Sequence, residues 1–292
     1  MTNSPAIERY FACIGAQKAG TTWLARILAQ HADVFVTPVK EIHYFDQIAG
    51  LTEQLSERKR RSRYRKYHQR KWTQWNRWRE YHAQADWYRA YMKPALDDAW
   101  YASLFSERAG KSVAGELTPE YALIGCEGFR HMKRLAPDAH IIYIMRNPVD
   151  RAWSQLLHQC RVRKLNEREM STDDFLKIAN EDRFSAIADY SGPLADIAAE
   201  FAPSNVLLDF YEDIHDDRVA ALGRVCDFLG VEFDATQFGG LDKRFNISQS
   251  ANMPNELHHV LIKKYSGMVD DVRKRVGRVP EQWEGDFKLS PG

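Results

Sequence analysis

Apolar positions along the chain follow two distinct patterns. Short apolar runs read as strands: "YFACIG" from Tyr10, a short strand opening "VFVTPVKEIHYFD", "SVAGELTPEY" ending in a turn at Pro119, the strand that leads "DAHIIYIMRNPVDRAWSQLLHQCR" into a helix, and the buried "SNVLLDFYEDI". Between them, "TTWLARILAQH" places Leu24, Ile27 and Leu28 at helical spacing. "RNPVDRAWSQLLHQCR" and "RVAALGRVCDFLG" do the same, the second stopped by Gly230. Strands alternating with helices predict a parallel sheet with helices on both faces, a three-layer α/β fold. With no repeat and no low-complexity linker, residues 1–292 read as a single domain carrying a helical insertion at about 52–98.

Composition narrows the function classes. The chain is 44% hydrophobic with a net charge of +1, enough for a sizeable core and too neutral for a general nucleic-acid binder, so no nucleic acid is expected as partner. Cys13, Cys126, Cys160 and Cys226 form no CxxC pair and no metal-ligand spacing, which suits reduced thiols. The N-terminal residues show no basic segment leading into an apolar run, and no apolar stretch reaches ~18 residues. A cytoplasmic location is the expectation.

Candidate chemistry begins at "IGAQKAGTTWL", Ile14–Leu24. Strand, glycine-bearing loop and helix is the setting of a phosphate cradle, in which backbone N–H groups and the helix dipole face an anion. Gly15 and Gly20 have P-loop spacing, yet Thr21 follows Gly20 and the lysine is Lys18, inside the loop. There it can neutralise charge developing on a bridging oxygen. Thr21 and Thr22 add hydroxyl donors. A second constellation lies at the end of "HIIYIMRNP". Arg146 ends a strand, Asn147 suits an N-cap and Pro148 the first helical position. Arg151, Ser154 and His158 follow at spacings of three and four and are expected on one helical face. Arg146 and Ser154 can share one phosphate, the guanidinium through two N–H bonds.

Together, "GAQKAGTTWL" and "RNPVDRAWSQLLH" resemble the two nucleotide-binding motifs of sulfotransferases that use 3′-phosphoadenosine 5′-phosphosulfate (PAPS), above all the heparan-sulfate type and its bacterial relatives. "KEIHYFD", "WYASLF", "GELTPEY" and "NVLLDFYEDI" followed by "FLGV" occur in the family's order. The resemblance implies a P-loop-like fold and no metal. It implies that Gly15, Lys18, Ala19, Gly20, Thr21, Thr22 and Trp23 hold the 5′-phosphosulfate and its nucleotide. Arg146 and Ser154 would hold the 3′-phosphate, with PAP as the product. For the base that takes the acceptor's proton it ranks Glu41 first, His158 second and His43 third. Lys18 completes the expected catalytic set. Heparan-type members often carry lysine where this chain has Leu117, and "KRFNISQSANMP" replaces their cysteine-bridged loop. Lys243, Arg244 and Asn246 are further nucleotide-contact candidates there. The expected acceptor is a hydroxyl, or second an amine, of a carbohydrate or other small molecule. A nucleotide kinase on the same loop is the alternative enzyme; it would want Lys-Ser/Thr after Gly20 and a Mg²⁺-binding aspartate.

The insertion, "SERKRRSRYRKYHQRKWTQWNRWREY", interleaves arginine and lysine with Tyr64, Tyr67, Trp72, Trp75 and Trp78. Tyr64, Tyr67, Lys71, Trp75 and Trp78 keep helical spacing, so the aromatics are expected to pack on the domain. The basic face suits an anionic acceptor or a membrane surface, and a polyanion- or membrane-binding module with a degenerate nucleotide site is the non-catalytic alternative.

Overall fold

The structure, a computed structural model, describes residues 6–73, 78–106, 108, 110–241 and 252–287, and for residues 70–73 and 78–83 the backbone alone. The five apolar runs form one sheet: β1 (Tyr10–Cys13), β2 (Val34–Val36), β3 (Val113–Leu117), β4 (His140–Met145) and β5 (Val206–Phe210). Its order is β2-β3-β1-β4-β5, and every neighbouring pair is parallel. β1 lies in the middle, with Phe11 beside Gly115 on one side and His140 on the other. Gly115 is required there, since a Cβ at that position would stand 2.2 Å from the Phe11 carbonyl oxygen. All strands of a parallel sheet end on one side, and ligands of such sheets bind outside those carboxyl ends.

Helices follow the strands or cover them. In chain order they are α1 (Thr21–Leu28), α2 (Tyr44–Ile48), α3 (Glu57–Thr73), α4 (Trp78–Tyr91), α5 (Asp98–Ser106), α6 (Gly125–Leu135) and α7 (Pro148–Arg163). Next come α8 (Thr172–Ala179), α9 (Asp182–Ala188), α10 (Ser191–Glu200), α11 (Tyr211–Asp216), α12 (Arg218–Leu229), α13 (Asn255–Val276) and α14 (Glu281–Asp286). The cap signals of the sequence hold: Asn147 Oδ1 accepts from the Val149 and Asp150 amides, and Gly230 closes α12 in the left-handed region. Among the described residues no helix is long and apolar enough to cross a membrane.

The basic insertion forms α3 and α4. Its aromatic stripe packs inward where it is described, with the Tyr67 ring stacked on Tyr88 at 3.9 Å between centroids. Trp72 and Trp78 lie in the segments described by backbone alone, as does Lys71, and Trp75 lies outside the described residues. Not all the arginines face water. Arg60 is 4% exposed and donates to the Leu55, Tyr91 and Lys93 carbonyls, so its charge sits on the C-terminal carbonyls of α4. Arg58, Arg61 and Arg65 remain exposed.

Candidate functional site

The strand ends and the loops beyond them enclose a cleft of about 560 Å³. Ten of the residues named from the sequence line it: Lys18, Ala19, Gly20, Thr21, Thr22, Trp23, Glu41, Arg146, Ser154 and His158. They arrive from four segments, and local backbone chemistry sets each one. Gly20, at φ 84, turns the loop after β1 into α1, and no side chain caps that helix, which leaves its first-turn amides for an anion. A Cβ at Gly20 would meet the Tyr211 ring at 3.2 Å, so glycine lets the loop close against that ring.

Two predicted residues stand outside the lining. Gly15 lies beneath the loop, against the Tyr143 ring. His43 is 3% exposed and shares its Nδ1 with Asp46 Oδ2 at 2.7 Å, while its Nε2 stands 3.8 Å from Glu41 Oε2. The enclosed ring thus lies behind Glu41, outside the cleft lining. Arg151 departs from the face expected of it. It is fully buried, with its guanidinium 5.8 Å over the Phe184 ring, because the side of α7 opposite the cleft faces the helical layer. Lys243, Arg244 and Asn246 lie outside the described residues; Leu241, just before them, accepts bonds from Trp23 Nε1 and Arg218 Nη1.

The loop carrying Glu41 is held in an uncommon conformation. Glu41 and His43 have φ of 64° and 65°, and Lys18 has 70°, three of the five non-glycine residues with positive φ among those described. Such backbone costs free energy and persists where surroundings enforce it. The enforcing group here is Glu116, on β3 and fully buried. Its carboxylate accepts from Tyr101 Oη at 2.6 Å, Tyr121 Oη at 2.8 Å, Thr118 Oγ1 at 2.6 Å and the Ile42 amide at 3.0 Å. The Tyr44 amide in turn donates to Tyr121 Oη. Glu116→Ala strips four donors of their partner in a dry site. It is expected to cost on the order of 3–5 kcal/mol in urea denaturation; a loss below about 1 kcal/mol would show that the network is not what holds the loop.

Electrostatics divide the cleft. Burial, reinforced by Arg161, Arg146 and Lys40, pulls the Lys18 ammonium below its ordinary range. His158, exposed at the rim, is lowered by partial burial and by Lys18 and Arg161. Burial pushes the Glu41 carboxyl up, but its contacts with His43 and Lys40 outweigh that and hold it at about 2. Burial likewise opposes the charge on His43, yet Asp46 and Glu41 raise it to about 9. Glu41, His43 and Glu120 offer ligand atoms within 4.8 Å of one another. The three form a compact charge cluster, with the imidazole further held by Asp46.

Other lining residues were not marked by the sequence motifs. Arg146 Nη1 donates to the Lys18 carbonyl at 2.9 Å, and its guanidinium lies 4.7 Å over the Tyr211 ring. Tyr190 Oη donates to the Arg146 carbonyl, fixing the strand end. Gln17, Lys40, Glu120, Tyr211 and Arg218 are among the other residues of the walls. Glu120 sits in plain view in "GELTPEY", but only the tertiary structure turns it toward Glu41.

A profile of the Sulfotransferase family matches residues 11–235, which takes in every strand and both anion loops. The chain belongs to the sulfotransferase family. It is therefore an enzyme of sulfuryl transfer, in a family whose donor is PAPS. No curated protein matches the sequence. Among solved structures, a sulfotransferase from Alicyclobacillus acidocaldarius is similar over 94% of this chain and 98% of its own, at 22% identity and a TM-score of 0.64. The sulfotransferase domain of the Synechococcus PCC 7002 olefin synthase is similar over 96% and 98%, at 17% identity and a TM-score of 0.52. These likenesses bear out the parallel α/β architecture of this sulfotransferase.

Proposed function

We propose that this sulfotransferase binds PAPS in the cleft and sulfates a hydroxyl, or second an amine, of a small acceptor such as a carbohydrate. The observation carrying this is the meeting of Lys18, the uncapped start of α1, Arg146 and Ser154 in one cavity. That combination fits a nucleotide with charge at two separated positions. PAPS, when bound, supplies a sulfuryl group on a phosphate leaving group. Gly20, Thr21 and Thr22 hold the 5′-phosphate, and Arg146 with Ser154 holds the 3′-phosphate. Trp23 and Tyr211 supply aromatic wall to the nucleotide. Lys18 neutralises charge on the bridging oxygen, and Glu41, ionised and beside the loop, accepts the acceptor's proton. His158 at the rim orients the acceptor. A Mg²⁺-dependent kinase is less well served, because Lys18 crowns the loop and Thr21 stands where such loops carry lysine.

None of the lining residues comes from the insertion as far as it is described, so its basic face is not a wall of the cleft. Capture of an anionic acceptor or contact with a membrane surface through Arg58, Arg61 and Arg65 remains a separate proposal.

Calorimetric titration tests the donor. PAP is expected to bind well, with adenosine 5′-phosphosulfate and ATP·Mg²⁺ at least ~100-fold weaker. A preference for ATP·Mg²⁺ would return the loop to kinase chemistry. Ser154→Ala should weaken PAP and spare adenosine 5′-phosphosulfate. Arg146→Ala is the less selective variant, since it also frees the Lys18 carbonyl, and should weaken both ligands.

A further inference from the structure

We infer that Glu120 is where the acceptor's proton comes to rest, passed on from Glu41 within the cluster that the two carboxylates form with His43, and that Glu120 is therefore a positioning and proton-holding residue of the reaction. This rests on the proposed role of Glu41 as the base. Three features of geometry carry it. Glu120 lines the cleft beside Glu41. Its carboxylate shares with Glu41 and His43 a cluster in which the ligand atoms all lie within 4.8 Å. Finally, Gln17 Nε2, one residue before Lys18, donates to Glu120 Oε1 at 2.8 Å, while Oε2 is buried with no hydrogen-bond partner. A buried carboxylate oxygen without a donor is a costly arrangement unless a proton arrives there.

The charges explain why a second carboxylate is needed. Glu41, pinned at about 2 by His43 and Lys40, is well placed to meet the acceptor but holds a proton poorly. Burial pushes Glu120 the other way, above the ordinary carboxyl range; His43 opposes this, and Glu41 and Asp46 reinforce it. As the acceptor oxygen bonds to sulfur, the bridging S–O bond breaks and its electron pair leaves with PAP. The acceptor's proton passes to Glu41. From Glu41 it passes to Glu120, while His43 keeps its own protons, with Nδ1 held by Asp46. Glu41 ends as a carboxylate, His43 as an imidazolium and Glu120 as a carboxylic acid, which then loses its proton to solvent.

The test uses the full chain and needs no identified acceptor: PAP release from PAPS with water as the acceptor, followed against pH. Glu120→Gln is expected to lower release about 10–100-fold while the calorimetric dissociation constant for PAP stays within about threefold. Glu120 must be ionised to receive the proton, so the acid limb of the wild-type profile should lie above the ordinary carboxyl range. In the variant it should move down. Glu120→Asp, which keeps a carboxyl, should recover part of the rate. Infrared difference spectra, wild type minus Glu120→Gln, give an independent readout: one protonated-carboxyl band titrating above the ordinary range, with the bands of Glu116, Asp150 and Glu212, also pushed up by burial, cancelling. An unchanged rate and profile, an empty difference spectrum, or loss of PAP affinity in step with rate would overturn the inference. A wild-type chain that binds no PAP would instead sink the donor reading, and the infrared band would still decide Glu120.

Discussion

Lys18→Ala should lower turnover by about 10²–10³-fold while shifting the dissociation constant for PAP by less than about tenfold. The reason is where the ammonium stands. It crowns the loop between β1 and α1 and faces the cleft, partly desolvated and beside other cations that lower its pKa. A cation so placed gains most when negative charge grows on the oxygen that breaks from sulfur, and PAP has no such oxygen bond to break. The backbone amides at the start of α1 still hold the phosphate in the variant. Lys18→Arg should recover little, because a guanidinium is larger and planar and cannot take the same position in a tight loop. Equal losses in turnover and in PAP affinity would make Lys18 an ordinary binding residue.

Glu41→Gln is expected to lower turnover about 10²–10⁴-fold with nearly unchanged affinity for PAP. Glutamine keeps the shape and loses the proton acceptor. His158→Ala should cost less, expressed mainly in KM for the acceptor, since His158 sits at the exposed rim. His43→Ala should act through Glu41. With His43 gone, one of the groups holding that carboxyl at about 2 is removed, and its pKa rises. The sign follows: a carboxyl depressed in the folded protein stays ionised until pH falls toward 2, so no loss of Glu41 charge is expected between about pH 5 and 8 in the wild type. If His158→Ala lost turnover to the extent expected of Glu41→Gln while Glu41→Gln itself turned over normally, the order of the bases would be reversed.

The lysine loop and the Arg146–Ser154 wall of the cleft were legible because each is local. Lys18 and the threonines follow β1 directly, and Arg146, Asn147 and Ser154 follow β4, so strand ends and cap residues within one short stretch marked them. Glu41 was legible only by resemblance, since nothing in its neighbourhood shows why its backbone is left-handed. The cause is Glu116, far along the chain on β3. Spacing misplaced Arg151 because a step of three residues along α7 turns away from the cleft as readily as toward it. The pairing of His43 with Asp46 and its burial arise from folding, and the order of residues does not announce them. The helices α8–α10 and α13 carry no chemistry and went unread, and α13 closes over α7 through buried Leu257, Leu261 and Tyr265.

The central position of β1 has a consequence for the order of synthesis and folding. The phosphate loop follows a strand whose two neighbours, β3 and β4, are made only after the insertion and much of the first half of the chain. A nascent chain that has just produced Lys18 owns the loop's sequence but neither wall beside it. Arg146, which grips the Lys18 carbonyl, arrives later still, with the end of β4. Loop closure over such separations is slow. The donor nucleotide therefore cannot act as a template for early folding. It can only lock a sheet that is already assembled, so added PAP should slow unfolding of the finished enzyme and leave its refolding rate unchanged.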